Sequence, residues 1–188
     1  MRIIAGLAKG RNLQSPSDGV RPTSDRAREA LFSTLDSEFG SMSDLHFLDL
    51  YCGSGAVSAE ALSRGAAFVQ AVDKDERATS VARSNHEMLA KLQGVGSSSI
   101  ITMAVSRFLE RSAENKFDIV FMDPPYELGS DEVINSLNLL SSNGFVKPGT
   151  VVAIERDSRS KGFEWPTGYV PLKERKYGAA TIFYAEAC

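Results

Sequence analysis

From residue 45 onward, short apolar runs rich in β-branched and aromatic side chains alternate with segments whose apolar residues recur at helical spacing. The runs predict strands at 45–50, 67–72, 99–105, 117–122 and 149–155, and the segments between them predict helices at 55–64, 75–92, 106–112 and 130–141. Strands separated by helices pair in parallel with the helices as crossovers, so the pattern is that of an α/β sheet. The end of the chain departs from this pattern. Residues 168–176 and 180–186 read as two strands joined through Tyr177-Gly178-Ala179, with no room for a helix, and so as a closing hairpin. Ahead of the sheet, Ala27, Ala30, Leu31, Leu35 and Phe39 recur at helical spacing behind Thr23 and Ser24, either of which can cap a helix. The first 22 residues read as a β-like arm, which divides the chain into an arm at 1–22 and one domain over 23–188. Gly94 to Ser99 reads as a small-residue loop before the third strand.

Length adds that 188 residues suffice for one packed core but not for two domains of ordinary size. No stretch approaches the roughly 20 apolar residues of a membrane span, and the N-terminus has no signal-peptide pattern, so a soluble cytoplasmic protein is expected. Cys52 and Cys188 are too isolated for a disulfide framework, and with His46 and His86 they show no metal-ligand spacing; no metal is expected. The net charge of −3 is unevenly spread. Arg2, Lys9, Arg11, Arg21, Arg26 and Arg28 crowd the first segment, and Arg156, Arg159, Lys161, Lys173, Arg175 and Lys176 the last, around an acidic middle. Basic ends suit an anionic polymer, and the first set is read as gripping its phosphates.

The first strand ends in Leu48-Asp49-Leu50-Tyr51-Cys52 and runs into Gly53-Ser54-Gly55-Ala56, where a helix begins. Glycines at such a turn permit close approach of a ligand to the backbone. Asp73 closes the second strand at roughly the 20-residue spacing of an acid that bonds ribose hydroxyls. A dinucleotide fingerprint would continue to a third glycine, where Ser58 stands. Asp49 would also repel a pyrophosphate, whereas it attracts the ammonium and sulfonium of S-adenosyl-L-methionine.

The fourth strand delivers Asp123-Pro124-Pro125-Tyr126 at its C-terminal end. Two prolines fix the backbone and remove two N–H donors, leaving carbonyls free to accept. Asp123 and the Pro124 carbonyl can hold both hydrogens of an exocyclic NH₂, while Tyr126 offers a face for the base to stack on. Methyl transfer from a sulfonium needs mainly alignment and stabilisation of charge developing on the nitrogen. Cys52 as a nucleophile is rejected, since a thiol suits carbon methylation of pyrimidine rings.

With these motifs the chain resembles the bacterial RsmD family, which methylates guanine N2 in 16S ribosomal RNA. The resemblance runs through Arg2-Ile3-Ile4-Ala5-Gly6, Arg21-Pro22-Thr23, Asp25-Arg26, Asp49-Leu50, Gly53-Ser54-Gly55, Glu60 to Ala66, Asp123-Pro124-Pro125-Tyr126 and Lys176-Tyr177-Gly178. It implies a Rossmann-like class I S-adenosylmethionine-dependent methyltransferase fold, a seven-stranded mostly parallel sheet with an antiparallel C-terminal hairpin. The implied partner is 16S ribosomal RNA or a partly assembled small ribosomal subunit, with no obligate protein partner. Catalysis falls to Asp123, Pro124, Pro125 and Tyr126. The cofactor set is Asp49, Tyr51, Gly53, Ser54, Gly55, Asp73 and Lys74, with Glu60 near the methionine part by resemblance. Met103-Ala104-Val105-Ser106 stands where an acid for the adenine amino group is expected, leaving adenine to the backbone at Ala104 and Val105, to Ser106 or to apolar packing. Arg11, Arg21, Thr23, Arg26 and Tyr177 are the expected substrate contacts. Two other readings stay open: a DNA adenine-N6 or cytosine-N4 methyltransferase, and a non-catalytic RNA-binding ribosome-assembly protein.

Overall fold

Seven strands, His46–Leu50 (β1), Phe68–Asp73 (β2), Ser97–Thr102 (β3), Phe117–Met122 (β4), Val146–Asp157 (β5), Tyr169–Tyr177 (β6) and Ala180–Ala187 (β7), form one sheet in the order β3-β2-β1-β4-β5-β7-β6. The computed structural model describes residues 1–15, 25–159 and 163–188. Strands β1 to β5 run parallel, and β7 is antiparallel to both β5 and β6. Five helices accompany them in the described residues: Asp25–Phe39 (α1), Ala56–Ser63 (α2), Glu76–Ala90 (α3), Val105–Leu109 (α4) and Ser130–Ser142 (α5). This is the Rossmann-like class I methyltransferase fold.

The central strands are apolar on both faces because both faces are covered. Phe47, Ile119, Phe121, Val151 and Ala153 pack with α1, α2 and the first residues of the chain. Leu48, Leu50, Val120, Met122, Val152 and Ile154 pack on the other side with α4 and α5.

Some expected boundaries shift. β3 begins at Ser97 rather than 99 and ends at Thr102, so Ser97 and Ser98 belong to a strand and not to a loop. β3 is the sheet's edge, where one side meets solvent and serines are tolerated; their polarity concealed its first two residues. Met103 then leaves the sheet through a bond from its N–H to the Asp73 carbonyl (2.8 Å), and α4 is shorter and earlier than 106–112. β5 starts at Val146, ahead of a register irregularity against β4.

The arm folds onto the domain. Ile3 N–H donates to the Arg11 carbonyl and Gly10 N–H to the Ile3 carbonyl, both at 2.9 Å, while Ile3, Ala8 and Leu13 are buried in the core. Gly6 has φ +81°, and a Cβ there would stand 1.8 Å from the Ser63 carbonyl oxygen. Only glycine lets the arm lie this close to the end of α2. The proposed caps Thr23 and Ser24 lie outside the described residues.

Candidate active site

The chain leaves β1 and must enter α2 within five residues, which it does through positive φ at Tyr51 (62°), Gly53 (53°) and Gly55 (71°). A left-handed tyrosine costs of order 1–3 kcal/mol. The two glycines do different work. Gly53 lines a cavity and donates its N–H to Asp73 Oδ2 (2.9 Å). Gly55 is turned away from it: a Cβ would meet Ala82 Cβ at 2.9 Å and His86 Nε2 at 3.2 Å, so its role is the packing of α2 against α3.

The cavity, about 820 Å³, opens along the C-terminal ends of the parallel strands, where the strand order reverses between β1 and β4. Its first half is lined by Asp49, Tyr51, Gly53, Ser54, Asp73, Lys74, Ala104, Val105 and Ser106. Asp49 is 1% exposed, and its Oδ2 accepts from Ser58 N–H (3.0 Å). Burial pushes its pKa up to about 7; the Ser58 hydrogen bonds oppose that shift, and the Asp123 and Asp73 carboxylates add to it. Asp73 ends β2 and is already engaged on both oxygens, by Gly53 N–H and by Asp75 N–H (2.9 Å). It therefore shapes the glycine loop as well as facing the cavity. Burial pushes the Cys52 thiol well above the ordinary range, which disfavours the thiolate that a nucleophile needs.

The second half is built on the loop after β4. Asp123 N–H donates to the Leu50 carbonyl (3.2 Å), which holds the residue to the end of β1. Asp123, Pro124, Pro125 and Tyr126 all line the cavity, with Tyr126 largely exposed. Leu128 N–H closes the loop onto the Pro125 carbonyl (2.9 Å), and the buried Arg156 guanidinium donates to the Leu128 carbonyl (2.8 Å). Facing this loop are Ala27 of α1, Glu155 of β5, and Tyr177, Ala179 and Ala180 of the last hairpin.

Several expected residues stand elsewhere. Glu60 does not line the cavity. It is buried within α2, where its carboxylate accepts from Ile4 N–H (2.8 Å) and Ala5 N–H (2.9 Å) and pairs with Arg64 (2.9 Å) and, more loosely, Arg28 (3.8 Å). Arg11 and Arg26 are exposed and outside the cavity lining. Arg28, read from sequence as a phosphate grip, is fully buried and bonds the Arg2 carbonyl and Asp25. Its surroundings are the arm and α2, so that expectation is corrected. Arg21 and Thr23 lie outside the described residues. Sequence reasoning overlooked Glu155, although the signal that marked Asp73 and Asp123, an acid ending an apolar strand run, is present in Val151-Val152-Ala153-Ile154-Glu155.

The sequence profile of the family described as "Conserved hypothetical protein 95" matches residues 1–186. The Haemophilus influenzae protein named "Ribosomal RNA small subunit methyltransferase D" is 32% identical over 182 residues, 95% of this chain and 89% of that protein. The chain belongs to the RsmD family. Its Escherichia coli K12 relative of the same name is 35% identical over 158 residues, 84% of this chain and 75% of that protein. The solved E. coli protein yhhF superposes with a TM-score of 0.85 at 30% identity, covering 100% of this chain and 97% of that one. In this RsmD-family chain, the glycine loop and the Asp-Pro-Pro-Tyr loop thus face each other across one cavity.

Proposed function

We propose that the chain methylates the exocyclic N2 amino group of a guanine in the 16S ribosomal RNA of the small subunit, using S-adenosylmethionine. The observation that carries this reading is Asp123-Pro124-Pro125-Tyr126 lining the same cavity as Asp49, Gly53 and Asp73. Membership of a family whose relatives are named as small-subunit ribosomal RNA methyltransferases favours RNA over DNA.

The residues present fit the cofactor. Asp49 is a buried carboxylate whose ionised form is disfavoured until a cation arrives, which suits the ammonium and sulfonium of this ligand. Asp73 offers its carboxylate to ribose hydroxyls beside the loop it already pins, and Ala104 to Ser106 form an apolar and hydroxyl-bearing wall for adenine. When bound, S-adenosylmethionine supplies a methyl group on a sulfonium sulfur, which departs with its bonding pair as a neutral thioether.

The chain's own residues orient the acceptor nitrogen. Asp123 accepts one amino hydrogen. The Pro125 carbonyl is taken by Leu128, and among the described residues no backbone N–H occupies that of Pro124, which accepts the other hydrogen. Held this way the lone pair faces the methyl carbon, and Tyr126 stacks on the base. Asp123 stabilises the positive charge that grows on nitrogen and takes the proton or passes it to water. The test is Asp123→Ala: methyl transfer to small-subunit RNA should be abolished while calorimetric affinity for S-adenosylmethionine stays within about threefold, since the change removes less than one hydrogen bond's worth of cofactor contact. Normal turnover in this variant refutes the assignment.

A further inference from the structure

The parallel register of β4 and β5 ends at Met122↔Ile154, and the next residue on each strand is a carboxylate, Asp123 and Glu155. Asp123 remains held in the sheet by its N–H bond to Leu50, and Glu155 continues the β5 pairing opposite Ile182 of β7. Two residues earlier on each strand, Phe121 and Ala153 belong to the hydrophobic cluster on the α1 and α2 side of the sheet. Strand positions two apart share a face, so Asp123 and Glu155 continue that alternation side by side. Both line the cavity, and Glu155 is 7% exposed. Its neighbour Arg156 points the other way and bonds the Leu128 carbonyl, which fixes the Asp123 loop relative to the end of β5.

We infer that Glu155 reads the ring N–H next to the methylated amino group, and that the Asp123–Glu155 pair thereby restricts the target base to guanine. This rests on the proposed function and deepens it. An ionised carboxylate is acceptor-only. The exocyclic amino group of adenine adjoins the ring acceptor N1, and that of cytosine adjoins the ring acceptor N3. Either base would set a lone pair against the second carboxylate. Guanine presents N1–H beside N2–H₂, a row of donors that two adjacent carboxylates can accept together. Discrimination arises as much from repulsion of the wrong edge as from attraction of the right one.

The probe is small-subunit ribosomal RNA ligated to carry either guanine or 2-aminopurine at the position that the wild-type enzyme modifies. 2-Aminopurine keeps the N2 amino group but has an acceptor at N1. Wild type should methylate guanine with a kcat/KM about a hundredfold or more above that for 2-aminopurine, as expected where a site built to bond an N–H meets an analogue lacking it. Glu155→Gln should lose roughly thirtyfold on guanine yet change less than about threefold on 2-aminopurine, because its amide can donate to the ring nitrogen. A merely structural role would lower both substrates alike. A wild-type ratio near one overturns the inference even if the variant fails to fold, and so does a Glu155→Gln enzyme that keeps the wild-type ratio. In either case N2 methylation of guanine still stands. If wild type modifies no guanine at all, the proposed function itself has failed.

Discussion

Asp49 is the single carboxylate of β1 and is buried at its cavity end, so on the proposed function its charge state follows the cation it would face. Its pKa is raised from 3.8 to about 7, so the folded protein keeps a proton there that the unfolded chain gives up. The group's contribution to stability is therefore full below pH 4 and declines as pH rises to about 7. Melting temperature is a poor readout, because His86, buried and pushed down to about 4, changes stability with the opposite sign between pH 4 and 6.5. Binding isolates Asp49. Affinity for S-adenosylmethionine should rise with pH to a plateau above 7 and lie about tenfold below it at pH 6, with nearly one proton released per ligand bound there. Calorimetry in buffers of different ionisation enthalpy measures both quantities; Asp49→Asn should remove the dependence, and a flat wild-type profile would contradict the role. The three acids at strand ends, Asp49, Asp73 and Asp123, were legible in the sequence because a carboxylate terminating an apolar run has few other reasons to be there. The separate duties of Gly53 and Gly55 were not, since only the positions of Ala82 and His86 show which glycine is enclosed.

Among the elements, α2 joins the two ends of the molecule's design: its start carries the glycine loop, and its end receives the arm. Glu60 is the pivot. Its oxygens hold two arm amides, and the guanidinium groups of Arg28 and Arg64 stand against it. Glu60→Gln removes the buried carboxylate that pairs with Arg64 and sets an amide N–H₂ against one arm N–H, which should cost roughly 3–5 kcal/mol in chemical denaturation. Affinity for S-adenosylmethionine should change little. A variant of native stability with weakened cofactor binding would instead support the methionine-site role that the family resemblance implies. The strand and helix order was readable from periodicity alone, because the central strands are buried on both faces and bounded by amphipathic helices. What escaped was the start of the edge strand β3, whose serines answer to solvent, and the docking of the arm, which depends on partners some 55 residues away in sequence.

At the scale of the whole molecule, the switch between β1 and β4 opens the cavity, and the last hairpin and α1 wall its target side. Folding the arm onto the domain leaves Arg2, Lys9, Arg11 and Arg26 exposed, whereas Lys173 is tied to Glu38. On the proposed function a base has to leave its stack to reach the Asp123 loop, and backbone contacts on either side would supply compensating binding energy. Replacing Arg11 and Arg26 with Glu should weaken RNA binding and flatten its salt dependence by about 1.4 in log–log slope, at roughly 0.7 per phosphate contact on single strands. Unchanged binding in a salt titration would move the RNA path to Arg175 and Lys176. The uneven charge was visible in the sequence, but the burial of Arg28 was not, because it follows from the arm's position. The most direct test of the account is the chemical identity of the product. Small-subunit ribosomal RNA from cells lacking this enzyme, incubated with the purified protein and methyl-labelled S-adenosylmethionine, should yield on nucleoside digestion a single labelled species, N2-methylguanosine. Label in N6-methyladenosine or N4-methylcytosine, or no label at all, would contradict it.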